Sequence, residues 1–256
     1  GIVYDINEKT SVNASGTVRT FDSDNVGNID YNYILFNAAN TYTQRQNNGR
    51  NNNLAFQGDF GLDHKFDDKG QNLSLSLSLQ RNRSYNDTDI KEFDNYSTVS
   101  SLANIINQRT RNKNIVAKVD YELPIGEISK LEAGYRLDSN DNSYDNTFQG
   151  IHDQDTADPT LQYLGLYTYD ANYKELFNAF YAQFKSKIGK VGYQVGLRNE
   201  LSQVTVDYQN LEGSNTVDNR RKTYNNLFPS IFLSYEFSKD NQLLVNYSRR
   251  IDRPRG

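Results

Sequence analysis

From Leu73 to Leu79 every second residue is leucine, and the three residues between them are serine. A period of two puts successive side chains on opposite faces of a strand, so this segment has one apolar face and one small, polar face. A helix would scatter the same leucines around its circumference. Just upstream, Leu54, Phe56, Phe60, Leu62 and Phe66 alternate with Gln57, Asp59, Asp63 and Lys65, and a turn at Asp67, Asp68, Lys69 and Gly70 joins the two runs. The unit recurs. Ile115, Ala117, Val119, Tyr121 and Leu123 pass through a turn near Gly126 into Leu131, Ala133, Tyr135 and Leu137. Phe180, Ala182 and Phe184 pass through Gly189, Lys190, Val191 and Gly192 into Tyr193, Val195, Leu197 and Leu201. Ile231, Leu233, Tyr235 and Phe237 turn at Lys239, Asp240 and Asn241 into Leu243, Val245 and Tyr247. A strand over Val12 to Val18 follows a turn at Asn7 to Thr10, with Ile2 to Asp5 as the stub of the strand before it. The pattern predicts nine strands plus that stub, in an antiparallel up-and-down meander.

Short turns alternate with long polar segments near residues 22 to 50, 84 to 112, 139 to 172 and 209 to 222, which we read as loops. Loops of that length are uncommon in compact soluble domains. A transmembrane β-barrel accounts for them, with short periplasmic turns at one end and long extracellular loops at the other. It also accounts for the composition: only 36% of residues are apolar, yet there are 19 Tyr and 13 Phe, more rings than so polar a chain can place in a dry core. The second face carries charges of both signs, among them Lys118, Asp120, Glu132, Arg136, Arg198 and Glu200, suited to a wet lumen. The competing reading is a soluble β-sandwich or all-β binding module, whose apolar faces would pack together. Two local features need their own account. His64 lies on the apolar face and is placed at headgroup level beside a short turn. Val204, Val206 and Tyr208 have the opposite parity to Leu197 and Leu201, for which a β-bulge near Ser202 is the expected cause.

Several function classes drop out. Net charge is −4 and the chain has no extended basic cluster, so a nucleic-acid partner is not expected. Without cysteine there is no disulfide framework, thiol nucleophile or Cys-ligated metal. No apolar run reaches the roughly 20 residues of a membrane-spanning helix, and no leader pattern opens the chain. With no methionine at residue 1, residues 1–256 are expected to form a single barrel segment of a longer protein. No catalytic, cofactor or metal site is assigned. The two histidines, His64 and His152, lack a partner nearby in sequence, and no carboxylate pair stands out. Asp138, Asn140 and Asn142 open like a calcium loop, but Ser143 replaces the required glycine and Gln149 the required glutamate, so a solvated loop is expected. His152, Asp153 and Asp155, in another loop, could hold a metal adventitiously, a reading that carries little weight here. Tyr163, Tyr167 and Tyr169, in an aromatic-rich stretch with Tyr173, are the candidate ligand-binding residues; the alternative is an interfacial aromatic girdle, which the architecture favours. Arg249, Arg250 and Arg253 could contact a plug or lipid headgroups, but are assigned a structural role near a strand end.

The C-terminal third is more specific. NYKELFNAFYAQFKSKIGKVGYQVGLRNE (172–200), LFPSIFLSY (227–235) and YSRRIDRP (247–254), in this order, resemble the outer-membrane β-barrel family found in TonB-dependent receptors, with looser similarity at GIVYDINEKT near the start. The resemblance implies a barrel of about twenty-two strands around a plug, energised through TonB, that imports a bulky nutrient across the bacterial outer membrane. Outer-membrane lipid, a plug domain, TonB and a nutrient would then be its partners, and no enzymatic activity is implied. The alternative function is a structural barrel or adhesin without active transport.

Overall fold

The computed structural model describes residues 1–34, 36, 39–151, 168–211, 217–238 and 241–251. Ten strands form one antiparallel sheet in which each pairs with its sequence neighbours: β1 (Ile2–Asn7), β2 (Thr10–Tyr33), β3 (Thr41–Lys65), β4 (Asn72–Asp94), β5 (Leu102–Ile125), β6 (Ser129–Ile151), β7 (Tyr169–Ile188), β8 (Val191–Asn210), β9 (Val217–Ser238) and β10 (Asn241–Ser248). The sheet is open, with β1 and β10 as its edges. Turns at the periplasmic end are tight. Gly189, at φ 58°, begins the two-residue turn between Ile188 and Val191, a first position that a type II′ hairpin reserves for glycine.

No described residue covers the sheet. The accessible surface is 18055 Å², against about 11,500 Å² for a compact monomer of this size. Ile90 and Ala179 are the buried apolar residues among those described, while Phe60 and Leu233 are 46% and 45% exposed. A sandwich would have put these rows against a second sheet, which the described residues do not form.

Register shows what the apolar rows face. Direct partners share a face, and tracing them from Leu75 through Val119, Tyr135 and Phe180 brings the alternating apolar runs of β4 to β7 onto one side. On β3 this stretch runs from Leu54 to His64. Yet the row of partners that begins at Leu54 passes through Arg83, Arg111, Ser143, Asn172 and Asp207 to reach Asn219, eight positions beyond Leu227, the outer end of the continuous outward apolar run of β9. At the other margin, the row from His64 ends at Pro229, eight positions short of Phe237. Both margins slide by the same amount over six strand-to-strand steps. That is about 26 Å along the strands for about 29 Å across them, so a level apolar belt requires strands tilted by about 40°. The ten steps from Leu54 to His64 then span a height of about 25 Å, the thickness of an outer-membrane apolar band. His64 closes the belt at its periplasmic margin, held by Thr10 (Oγ1 to Nδ1, 2.8 Å) and edge-on to Phe66.

Two expectations change. The segments read as long loops are for most of their length paired strand: β2 and β3 stay in register up to Tyr33 and Thr41. Above the bilayer both faces meet water, so alternation disappears from the sequence although pairing propagates from the anchored part of the hairpin. The bulge near Ser202 is also absent, because β8 pairs without a register shift on both sides of that residue. Leu201 is the last outward residue of β8 within the belt; beyond it the outward face turns polar, and Val204, Val206 and Tyr208 lie on the inner face.

Candidate functional site at the inner wall and outer mouth

Apart from Arg81 at its outer margin, no described residue on the outward face of the belt between β3 and β9 is charged; the charges at this height sit on the other face and pair along it. Lys130 bridges Glu122 and Glu132, each at 2.7 Å. Lys118 meets Asp120 at 2.5 Å, Arg136 meets Asp138 at 3.0 Å and Arg198 meets Glu200 at 2.7 Å. Tyr181 donates to Asp120, and Gln183 donates to Glu132 and accepts from Gln194. Arg198 also lies over the rings of Phe177 and Tyr181. Ser74, Lys118, Arg136 and Tyr181 help line a depression of about 500 Å³ in this wall. Such exposed pairs add little stability each. Together they give a wet, polar wall of nearly balanced charge, which can contact another folded segment or line a water path.

Asp138, Asn140 and Asn142 lie on β6, not in a loop, and face inward. Asn114 donates to Asp138 and Asn140 (3.0 and 2.8 Å), and Asn112 donates to Asn142 (2.8 Å). Their spacing of two is a strand face carrying an amide ladder. His152, Asp153 and Asp155 lie outside the described residues. Arg249 and Arg250 follow β10, where the Arg249 amide donates to the Pro229 carbonyl; Arg253 is outside the described residues.

Of the aromatic candidates, Tyr163 and Tyr167 lie outside the described residues. Tyr169 begins β7 and shares the inner face with Tyr208, ring centroids 5.5 Å apart. It stands well above the belt and faces inward, so it is not part of a lipid-facing girdle. Tyr144, Tyr173 and Tyr224 share that face by register. The Tyr173 phenol is pushed up first by burial and then by Glu175, to which it donates at 3.4 Å, with Tyr144 and Tyr224 adding to the effect. These tyrosines form an amphipathic patch at the outer mouth that can stack on a ligand and hydrogen-bond to it. Sequence reading missed Tyr144, Tyr208 and Tyr224 because nothing in the polar ends revealed parity; the reversed rhythm of Val204, Val206 and Tyr208 was the available signal.

Long tilted strands, a level apolar belt and a charged reverse face define a wall of a bacterial outer-membrane β-barrel. Residues 64–256 match the model of the outer membrane protein beta-barrel family, and the chain belongs to that family. Among solved structures it is similar to the ferric citrate transporter FecA in the unliganded form, at 13% identity and TM-score 0.50, with 93% of this chain covering 38% of FecA. It is also similar to BauA, the ferric preacinetobactin receptor from Acinetobacter baumannii (10% identity, TM-score 0.43, 92% of this chain and 42% of that one), and to the alcaligin receptor FauA from Bordetella pertussis (11% identity, TM-score 0.45, 93% and 38%). The chain thus spans less than half the length of these receptors. No curated protein sequence matches it.

Proposed function

We propose that residues 1–256 are a single barrel segment of a larger outer-membrane receptor that imports a bulky nutrient, such as a metal chelate or a glycan fragment, with a plug domain and TonB as partners. The observation that carries this reading is the division of the inner wall. A charged lattice faces the lumen along the height of the belt, and an amphipathic tyrosine patch stands above the membrane at the mouth. The first suits contact with a plug; the second suits capture of a solute too large for diffusion. The coverage of FecA, a transporter, to 38% of its length fits a segment of such a receptor. In this reading the wall performs no chemistry and is not an enzyme: its residues bind, orient and line a path. Tyr169 and Tyr208 take the ligand-contact role, with Tyr163 and Tyr167 as further contacts.

The test is growth of cells carrying the full-length protein on a panel of chelates and oligosaccharides, with and without TonB. Transport predicts a nutrient whose uptake needs TonB and falls about tenfold in Tyr169→Ala with Tyr208→Ala, at unchanged surface level; the tenfold corresponds to the lost stacking of two rings. Surface attachment that depends on the protein and is unaffected by TonB, with no nutrient taken up, would establish the adhesin instead.

A further inference from the structure

Immediately above the belt, the outward face of β4 and β5 is basic. Arg81 and Arg83 follow Leu79 on β4; Lys113, Arg111 and Arg109 precede Ile115 on β5. Register sets Arg81 directly opposite Lys113 and Arg83 directly opposite Arg111, two like-charge pairs in adjacent rows of a kind that destabilises a sheet. Arg111 has a carboxylate partner, Asp145, at 3.2 Å, while Arg109 lies over the Tyr85 ring, 5.9 Å from its centroid. Asp141 stands between Lys113 and Lys174 in register, and Asp170 sits beyond Asp145. These acids lie on the β6 and β7 side and leave Arg81 and Arg83 facing cations. Arg83 Nε is shielded from solvent with no hydrogen-bond partner. The side chains of Arg81, Arg83, Tyr85, Arg111 and Lys113, with Asp141 and Ser143, enclose a depression of about 290 Å³.

Height identifies the occupant. On the belt geometry described above, these cations span the first ~12 Å beyond the outer margin, with Arg81 at the margin itself. That is the headgroup layer, on the side of the wall that faces lipid and not the lumen. We propose that this cluster is a binding site for the phosphate groups of an outer-leaflet lipid, whose acyl chains run down over Leu79, Leu77, Ile115 and Phe56. Each guanidinium presents a planar fork that matches phosphate oxygens two at a time. A phosphate between Arg81 and Lys113, and another between Arg83 and Arg111, turns each repulsive row into a bridged one, and the depression between the strands admits the headgroup. A soluble anion would find these charges too, but it would lack the apolar surface immediately beneath them.

The test uses the full-length protein in detergent micelles and in nanodiscs, with bisphosphorylated lipid A, the same lipid dephosphorylated, and inorganic pyrophosphate as probes. Lipid retained per protein is read by native mass spectrometry and by competition. The expected result is retention of the phosphorylated lipid at least tenfold over the dephosphorylated one. The triple variant Arg81→Gln, Arg83→Gln, Lys113→Gln should lose affinity on the order of a hundredfold, since a cation near an anionic lipid surface is worth about fivefold in binding. Arg220→Gln with Lys222→Gln, on the inner face of β9, should leave it unchanged. If the triple variant fails to fold, as judged by its mobility in unboiled gels, Arg81→Gln and Lys113→Gln are measured singly, each expected to lower affinity about fivefold. Equal retention of both lipids, undiminished retention by the variants, or displacement of the lipid by pyrophosphate at equal concentration would overturn the assignment; the last would mark a soluble-anion pocket. None of these outcomes bears on transport, so this site and the import reading stand or fall separately.

Discussion

Replacing Leu77 by lysine tests the membrane placement most directly. The midpoint of the belt on β3 falls at Asp59, whose partner on β4 is Ser78. The slide of the belt by about one residue per strand moves the midpoint on β4 to Leu77, on the outward face between Phe60 and Ala117. A lysine there sits about 12 Å from either margin, too far for its ammonium to reach water without deforming the bilayer. The expected loss is about 2–4 kcal/mol, falling to about 0–1 kcal/mol near the interfaces. Ser76 is one residue away and faces the lumen, so Ser76→Lys, which adds the same charge and chain length, should change stability by less than about 0.5 kcal/mol. Leu79→Lys, closer to the outer margin, should fall between. Reversible denaturant titration of the full-length protein folded into lipid vesicles reads all three, and a 2–4 kcal/mol loss appears as a change of roughly thirtyfold to a thousandfold in the folding constant. A Ser76→Lys loss equal to that of Leu77→Lys would refute the reasoning, since only the face distinguishes the two sites.

At Gly134, on the inner face of β6, an added Cβ would lie 2.6 Å from the Val119 carbonyl oxygen and collide with the Tyr181 ring. Gly134→Ala should therefore cost about 1–3 kcal/mol in the same titration. Arg198→Ala removes an ion pair and two ring contacts at once and is expected to cost about 1–3 kcal/mol, whereas Arg220→Ala breaks an exposed pair with Asp218 and should cost under about 1 kcal/mol; comparable losses would argue against a structured inner wall. In the extracellular hairpin, the Thr43 hydroxyl donates to Asp94 at 2.6 Å and, with Ser101, holds its carboxyl below the ordinary carboxylate range. A depressed folded pKa contributes stability above the unfolded value near 4 and loses it as pH falls through the folded value. Thr43→Val should raise the Asp94 pKa, read by carboxyl NMR, so that the variant's deficit is seen above about pH 4 and fades in acid; an unchanged pKa would show that the hydrogen bond does not form.

Much of the architecture can be read directly from residue order. The leucine and serine alternation at 73–79, and its counterparts through Val245, specify strands, their faces and their tight turns, because water on one side and apolar surroundings on the other impose a period of two. The ends of the strands are a different matter. Where Asn25, Asn47 and Thr88 meet water on both faces, no rhythm separates a paired ribbon from a loop, and β-propensity there is low. The orientation of Tyr169 was unreadable for the same reason, since parity must be counted along an unbroken strand and the rows leading to it carry no alternation.

What residue order alone established, then, is local: which segments are strands and which side of each is apolar. The level of each residue in the membrane arose from the assembled sheet, because a tilt of about 40° builds up through the register of many strands. The sheet alone also set Arg81 against Lys113 and Arg83 against Arg111. These are residues some thirty positions apart in the chain, and only the pairing of β4 with β5 decides that their charges must share one patch at one height.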